Sequence, residues 1–408
     1  MAGRATNDKI YYFGIDGLRF LAACLAASFH LCFWSWSQTG TTPNLILENA
    51  ARFDALVPFT WFGWVGVEIF FVISGLVIAN SANGRTPIEF AKGRLLRLYP
   101  GAWICATVAL AALLYMHQLP PQRIVKGYVA SITLIPTARR WVDGVYWTLT
   151  VEIAFYALVF GLQIFRRFPA ISTLAWMLTI WSGAFNALLM FNLLYGIHVP
   201  LLDLARRPQF ENILLLRHGA FFSIGIWLWL IAAHKRSPSI FFGIALAIGV
   251  GAIEIANRAL EIIQQTEAAA AQSPIVPVVI WMIALSALFL FTRFSKHFNP
   301  SLGAAGTVLR SLGLMTYPMY LLHTVFGTTV LRLLIDGGIP PYAALFIALC
   351  SAIALAWAVS SIAEPILRRM LRHWLVGAES IMQKRPALLF VSGGQITTPD
   401  DRAPALVP

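Results

Sequence analysis

The sequence predicts an all-α polytopic membrane protein with about ten transmembrane helices and cytoplasmic N- and C-termini. Three observations carry that prediction. Of 408 residues, 58% are hydrophobic and only 12% are charged, too little polar surface to clothe a soluble fold of this length. The apolar residues gather into runs of about 18 or more, the length needed to cross a bilayer. More than twice as many of the 30 Lys and Arg fall in segments on the N-terminal side of the alternation as on the other side. The positive-inside rule places that side in the cytoplasm. Disordered, collagen-like and disulfide-framework classes are excluded.

Taken in order, the spans fall near residues 13–34, 61–80, 100–117, 147–165, 171–195, 213–233, 239–258, 275–294, 311–335 and 341–362. The first is no cleaved signal peptide, because Arg19 and His30 interrupt it and it runs too long. A short apolar piece near 124–136 reads as an interfacial or re-entrant helix. The segment around it, 118–146, carries Arg123, Lys126, Arg139 and Arg140 against the charge trend. Residues 1–375 read as one membrane-embedded domain and 376–408, with Gly393-Gly394 and Pro399, as a mobile cytoplasmic tail. No internal repeat stands out, nor a matched pair of broken helices of the kind many transporters use.

The net charge of +12 does not point to nucleic acid, because the basic residues flank apolar runs rather than line a soluble face. Cys24, Cys32, Cys105 and Cys350 lie in apolar stretches without CxxC spacing and read as packing residues. No HExxH, Walker loop or GxSxG occurs, so no metal site and no common soluble hydrolase or kinase chemistry is expected.

Ionisable groups within spans are costly and by default face a protein or water-filled interior. The first span holds Asp16, Arg19 and His30. At 100° and 1.5 Å per residue, Arg19 and His30 lie roughly 20° apart around the axis and about 16.5 Å apart along it. One helix thus presents a fixed cation at one depth and a titratable imidazole at another. The alternative is a structural Asp16–Arg19 pair with His30 as a satisfied core histidine. Glu68 opens the second span, and Ser74-Gly75 within it permits close helix approach. Arg94 and Arg97, spaced i and i+3, offer two guanidinium forks on one face if helical, or serve as ordinary flanking cations. Thr148, Glu152 and Tyr156 form a polar stripe on the fourth span, beside Trp147. Tyr317, Tyr320 and His323 share the ninth span with Pro318, which should kink it.

These residues fall into ordered motifs: Asp16-Gly17-x-Arg19 followed by His30; Gly66-Val67-Glu68 with Phe70-Phe71-x-x-Ser74-Gly75; Arg94-x-x-Arg97-Leu98-x-Pro100; Trp147-x-Leu149-x-x-Glu152; Tyr317-x-x-Tyr320-Leu321-x-His323; and Glu364-Pro365. In this series the chain resembles the acyltransferase 3 family of integral membrane O-acyltransferases, many of which decorate bacterial surface polysaccharides. Thr148 and Thr316 stand where that family usually has Ser, and Leu76 where it has Phe. The resemblance implies transfer of an acyl group, acetyl in the simplest reading, from acyl-CoA to a sugar hydroxyl of an envelope or exported polysaccharide. It implies a multi-pass protein of the bacterial inner membrane, with a glycan or lipid-linked oligosaccharide acceptor and polysaccharide export machinery as partners. Acyl-CoA would be a donor substrate, and no permanently bound cofactor is implied.

On this reading His30, Arg19 and Glu152 are catalytic, His30 as general base or as transient acyl carrier. Glu152 either orients His30 or neutralises Arg19. Arg94 and Arg97 hold the anionic end of the donor. Asp16, Glu68, Ser74, Trp147, Thr148, Tyr317, Tyr320 and His323 line the substrate path. A water-accessible tunnel joining Arg19 to His30 is expected. With no SGNH-type hydrolase segment after the last span, acceptor chemistry would be completed by the membrane domain or a separate partner. The rival reading is a proton-coupled transporter that uses His30, Arg19 and Glu152 as a relay.

Overall fold

The computed structural model of the protein describes residues 13–135, 140–196, 200–233, 235, 237–294 and 303–384. Among these, every regular element is helical. Eight helices are long and apolar enough to cross a membrane, and a bent pair brings the number to nine. Pro136, Arg139 and the tail beyond Lys384 lie outside the described residues.

Helix α1 (Phe13–Phe29) runs on through one π turn at His30–Trp34. A π turn adds a residue to the helical repeat, and such insertions cluster at functional sites. Helix α2 (Val65–Ala82) lies at the heart of the bundle and is buried along most of its length. Glycines explain how it comes so close to its neighbours. A Cβ at Gly66 would sit 2.2 Å from the Ala22 carbonyl oxygen of α1. One at Gly75 would sit 2.2 Å from the Phe222 carbonyl oxygen of α7 (Gly219–Ala232). Backbone-to-backbone packing of this kind replaces the hydrophobic drive that is missing between helices in lipid.

Helix α3 (Pro87–Met116) begins well before the expected span at 100–117. Thr86 and Glu89 form a reciprocal capping box, and Pro87 occupies the first turn, so the sequence starts a helix there. At 1.5 Å per residue the helix is about 45 Å long, more than a bilayer core needs. Its first half carries Arg94 and Arg97 as one helical face. The apolar piece expected near 124–136 is α4 (Pro121–Thr133), docked on α3 through a Trp103 Nε1 donation to the Ile132 carbonyl at 2.8 Å. Helices α5 (Trp147–Ile164), α6 (Ile171–Tyr195), α8 (Pro238–Gln265), α9 (Ile275–Arg293) and α12 (Pro341–Ala358) follow expected spans.

Two spans depart from expectation. The run at 213–233 yields only α7, fourteen residues long and buried from Gly219 to Leu230. At about 21 Å it is too short to cross 30 Å of hydrocarbon. The chain before it turns at Leu215, which has a positive φ of 53°. The run at 311–335 is broken into α10 (Gly303–Leu322) and α11 (Val325–Asp336), bent by 69°. Pro318 lies inside α10, and the break falls after it, at His323-Thr324. After a second π turn at Val359–Ala363, α13 (Glu364–Lys384) carries helix into the segment expected to be a mobile tail.

Candidate active site

A cavity of about 130 Å³ opens between α1, α2, α3, α5 and α10. Three guanidinium groups reach it, from Arg19, Arg94 and Arg97, against the single carboxylate of Glu152. Glu152 is held from two sides: Ser74 Oγ donates at 3.0 Å and Tyr156 Oη at 2.5 Å. The Thr148–Glu152–Tyr156 stripe on α5 therefore works partly within itself, and Ser74 crosses from α2 to complete it. Arg94 lies 5.7 Å from the Phe90 ring centroid and 5.8 Å from that of Tyr156. Its Nε is buried without a hydrogen-bond partner. Arg97 stands 3.9 Å from Glu364 Oε1 and 5.7 Å from the Tyr317 ring centroid. Tyr317 is fixed by donating to the Leu98 carbonyl at 2.8 Å. Glu364 also pairs with Arg368. The lining is thus cationic, and guanidinium forks set against aromatic faces suit a phosphate-bearing ligand.

Beside this cavity two histidines meet. His323 Nε2 lies 3.0 Å from His30 Nδ1. His30 Nδ1 is also 2.9 Å from the Ala26 carbonyl, and His323 Nδ1 is 3.3 Å from the Met319 carbonyl. A carbonyl only accepts, so both rings satisfy these contacts with hydrogen on Nδ1. His323 Nε2 is then an acceptor for His30, and the His30 Nε2 lone pair is left available. His323 is fully buried and His30 partly so. Tyr320 connects the pair to the cavity: it lines the cavity, and its ring centroid lies 5.5 Å from that of His323.

The break that follows His323 is secured by Asp143, just ahead of α5. Its carboxylate accepts from the Thr324 hydroxyl, from the Val325 amide at 3.0 Å and from the Val145 amide at 3.2 Å. It thus caps the N-terminus of α11, where a negative charge is favoured. Burial pushes the Asp143 carboxyl above its ordinary range, and these hydrogen bonds oppose the rise.

Residues 12–361 match the family model described as an acyltransferase domain, the acyltransferase 3 family. The chain belongs to the acyltransferase 3 family. Similar proteins include nodulation protein 10 of Rhizobium leguminosarum bv. viciae, 30% identical over 37% of this chain and 44% of that protein. The exopolysaccharide production protein ExoZ of Rhizobium meliloti (strain 1021) is 31% identical over 31% of this chain and 41% of its own. A putative membrane-bound transacylase, BcsY of Komagataeibacter xylinus, is 27% identical over 36% of each chain. In each case the alignment spans less than half of the relative. No solved structure matches the chain.

In this member of the family the structure gathers Arg19, Ser74, Arg94, Arg97, Thr148, Glu152, Tyr317 and Tyr320 around one cavity. His30 and His323 form their pair next to it and are not among its lining residues, so the cavity does not run from Arg19 to His30 as the expected tunnel would. Asp16 accepts from Arg19 Nη1 at 3.4 Å and packs against Gly313. The Trp147 ring faces His218, with centroids 5.2 Å apart. Glu68 is not among the lining residues, and its Oε2 is 3.4 Å from His218 Nδ1. The four cysteines are free, Cys32 and Cys105 buried, Cys24 partly buried and Cys350 exposed.

Asp143 and the partners of Glu68 escaped the reading of the sequence. Asp143 had a local signal, an Asp-Gly pair just before a span, which is a usual helix-start pattern. His218 and Glu254 had one too, as ionisable groups inside the expected spans 213–233 and 239–258, but nothing in the sequence links them to each other or to Glu68.

Proposed function

We propose that this acyltransferase moves an acyl group, acetyl in the simplest case, from acyl-CoA to a sugar hydroxyl of an envelope or exported polysaccharide in the bacterial inner membrane. The observation that carries the reading is the histidine pair set against a cavity with three guanidinium groups and one carboxylate. The name of one similar protein, an exopolysaccharide production protein, supports the acceptor class, and that of another, a membrane-bound transacylase, supports acyl transfer.

Arg94 and Arg97 hold the phosphates of the donor from the end of α3 that carries the positive flank. Charge-assisted hydrogen bonds are the strong ones, and Arg94 Nε still lacks a partner to make one. Arg19 and Glu152 set the charge balance deeper in the cavity, and Ser74 and Tyr156 hold the Glu152 carboxyl in place by donating to it. Glu152 is therefore the counter-charge within the cavity, and orientation of His30 falls to His323.

His30 Nε2 removes the proton from the acceptor hydroxyl as its oxygen attacks the thioester carbonyl. The C–S bond breaks, an O–C ester bond forms, and the CoA thiolate takes the proton back from the imidazolium. His323 Nε2, accepting from His30 Nδ1, favours the charged imidazolium along the way, the part an orienting acceptor plays in a triad. Tyr320, between the pair and the cavity, moves aside for the acyl arm to reach His30.

The test is release of CoA thiol from acetyl-CoA by the purified protein in detergent, with and without a glycan acceptor. Mass spectrometry of the surface glycan of a deletion strain identifies the missing acyl group. Acceptor-dependent CoA release that is lost in His30→Ala supports the reading. No release with any envelope glycan, from protein that is folded and monodisperse, overturns it.

A further inference from the structure

Outside the lining of the cavity, three buried side chains converge. Glu68 comes from α2, His218 from the residue that opens α7, and Glu254 from α8. One ligand atom from each lies within 4.8 Å of the other two. None of the three is more than 4% exposed. Such groups are expensive to bury and should be hydrogen-bonded. They are not: Glu68 Oε2, His218 Nδ1 and both carboxylate oxygens of Glu254 lack any hydrogen-bond partner.

The neighbouring cations do not resolve this. Arg217 is engaged elsewhere, by Glu211 at 2.8 Å and by a two-pronged contact with Glu261 at 2.8 and 2.9 Å. Its closest approach to Glu254 is 4.0 Å, beyond hydrogen-bond range. Arg258 is likewise turned to Glu261, at 3.3 Å. A single proton shared between two of these groups would satisfy two of the four orphaned atoms and leave the others as they are. One cation bound between them satisfies a donor atom from all three residues at once.

We propose that Glu68, His218 and Glu254 form a binding site for a divalent transition-metal ion, with Zn²⁺ the best fit. One imidazole nitrogen and two carboxylate oxygens are a borderline donor set that zinc accepts in four-coordinate sites. With bonds of about 2.0–2.1 Å, a tetrahedral ion spaces its ligand atoms about 3.4 Å apart. His218 Nδ1 and Glu68 Oε2 stand at 3.4 Å. The Phe71 and Trp147 rings, 5.1 and 5.2 Å from the His218 ring, close the site against water. The ion ties α2, α7 and α8 together, and this fixes α2, which also contributes Ser74 and Phe71 to the cavity lining. The proposal stands independently of the acyl-transfer reading.

The test is metal analysis of the full chain, purified through a tag without histidines and without added metal. About one equivalent of zinc per chain is expected, falling at least tenfold in Glu254→Gln and in His218→Gln. Because a buried substitution can unfold the bundle, the wild-type chain supplies a second measurement. Stripping with a membrane-compatible chelator should lower its melting midpoint, and stoichiometric Zn²⁺ should restore it. Zinc retained at the wild-type level in Glu254→Gln overturns the site. So does a wild-type chain that carries no divalent metal and whose melting midpoint does not respond to Zn²⁺ or Mn²⁺.

Discussion

His30 and His323, separated by 293 positions in the chain, are joined through Nδ1 and Nε2 at 3.0 Å. One imidazole follows the last turn of α1, where a π turn begins; the other comes directly after α10, where the chain bends by 69°. Each ring is anchored by the carbonyl one turn before it, Ala26 or Met319. The pair is therefore built by two irregularities of helical geometry, and either one could be lost without loss of the span that contains it.

Substituting the two rings should separate their roles. His30→Ala removes the base and should lower kcat by at least about 10²-fold, the lower end for a general base. His323→Ala leaves a base with one ring nitrogen less well oriented, so a smaller fall in kcat and a shifted pH profile are expected. Steady-state acyl transfer with both substrates varied reads this out. A His30→Ala protein that is folded and retains its rate removes His30 from the chemistry.

Asp143 acts on the pair at one remove. Asp143→Asn replaces a carboxylate that accepts from the Thr324 hydroxyl and the Val325 amide, and one amide position becomes a donor facing donors. Loss of a buried charge-assisted acceptor costs about 1–3 kcal/mol. The expected outcome is a lower melting midpoint with a drop in kcat, while KM for the donor stays near wild type, because Arg94 and Arg97 are untouched. A rise in donor KM at unchanged kcat contradicts the placement.

The glycine contacts of α2 make a prediction about stability alone. A Cβ at Gly75 would meet the Phe222 carbonyl oxygen at 2.2 Å, and backbone cannot step aside as a side chain does. Gly75→Ala should therefore force α2 from α7 and destabilise the bundle by about 1–3 kcal/mol, as overpacking does. Gly249→Ala, on α8 with open space around it, is the control and should melt near the wild-type midpoint.

How much of this was legible in the sequence follows from what each feature depends on. Long apolar runs with charged flanks announce themselves locally, so most spans stand where expected. The run at 213–233 misled because hydropathy reports burial, and a short helix enclosed by α2, α6 and α8 is as apolar as one in lipid. Pro318 suggested a kink, yet the bend lies at His323-Thr324, where Asp143 caps the second half from another part of the chain. Arg19 and Glu152 were readable because each is a charge where lipid is expected, and Arg94 and Arg97, just ahead of the expected span, because their spacing puts two guanidinium forks on one helical face. That His30 meets His323, and that Glu68 meets His218 and Glu254, depends on helix packing, and spacing along one helix carries no trace of it.

The two arginines of α3 offer the sharpest division between donor and acceptor. Arg94 packs against the Phe90 and Tyr156 rings with its Nε unpartnered, whereas Arg97 is near Glu364 and partly exposed. Hydrogen bonds to charged groups contribute about 1.5–3 kcal/mol, so Arg94→Ala should raise KM for acetyl-CoA by roughly tenfold or more. Arg97→Ala should raise it less, because the carboxylate of Glu364 already shares that guanidinium. Arg94→Lys keeps the charge but loses the planar fork and the aromatic stacking, so it should recover only part of the loss. Added salt should weaken donor binding in the wild type more than in either Ala variant, since there is more charge to screen. If the substitutions change only the acceptor KM, the phosphates lie elsewhere and α3 belongs to the glycan.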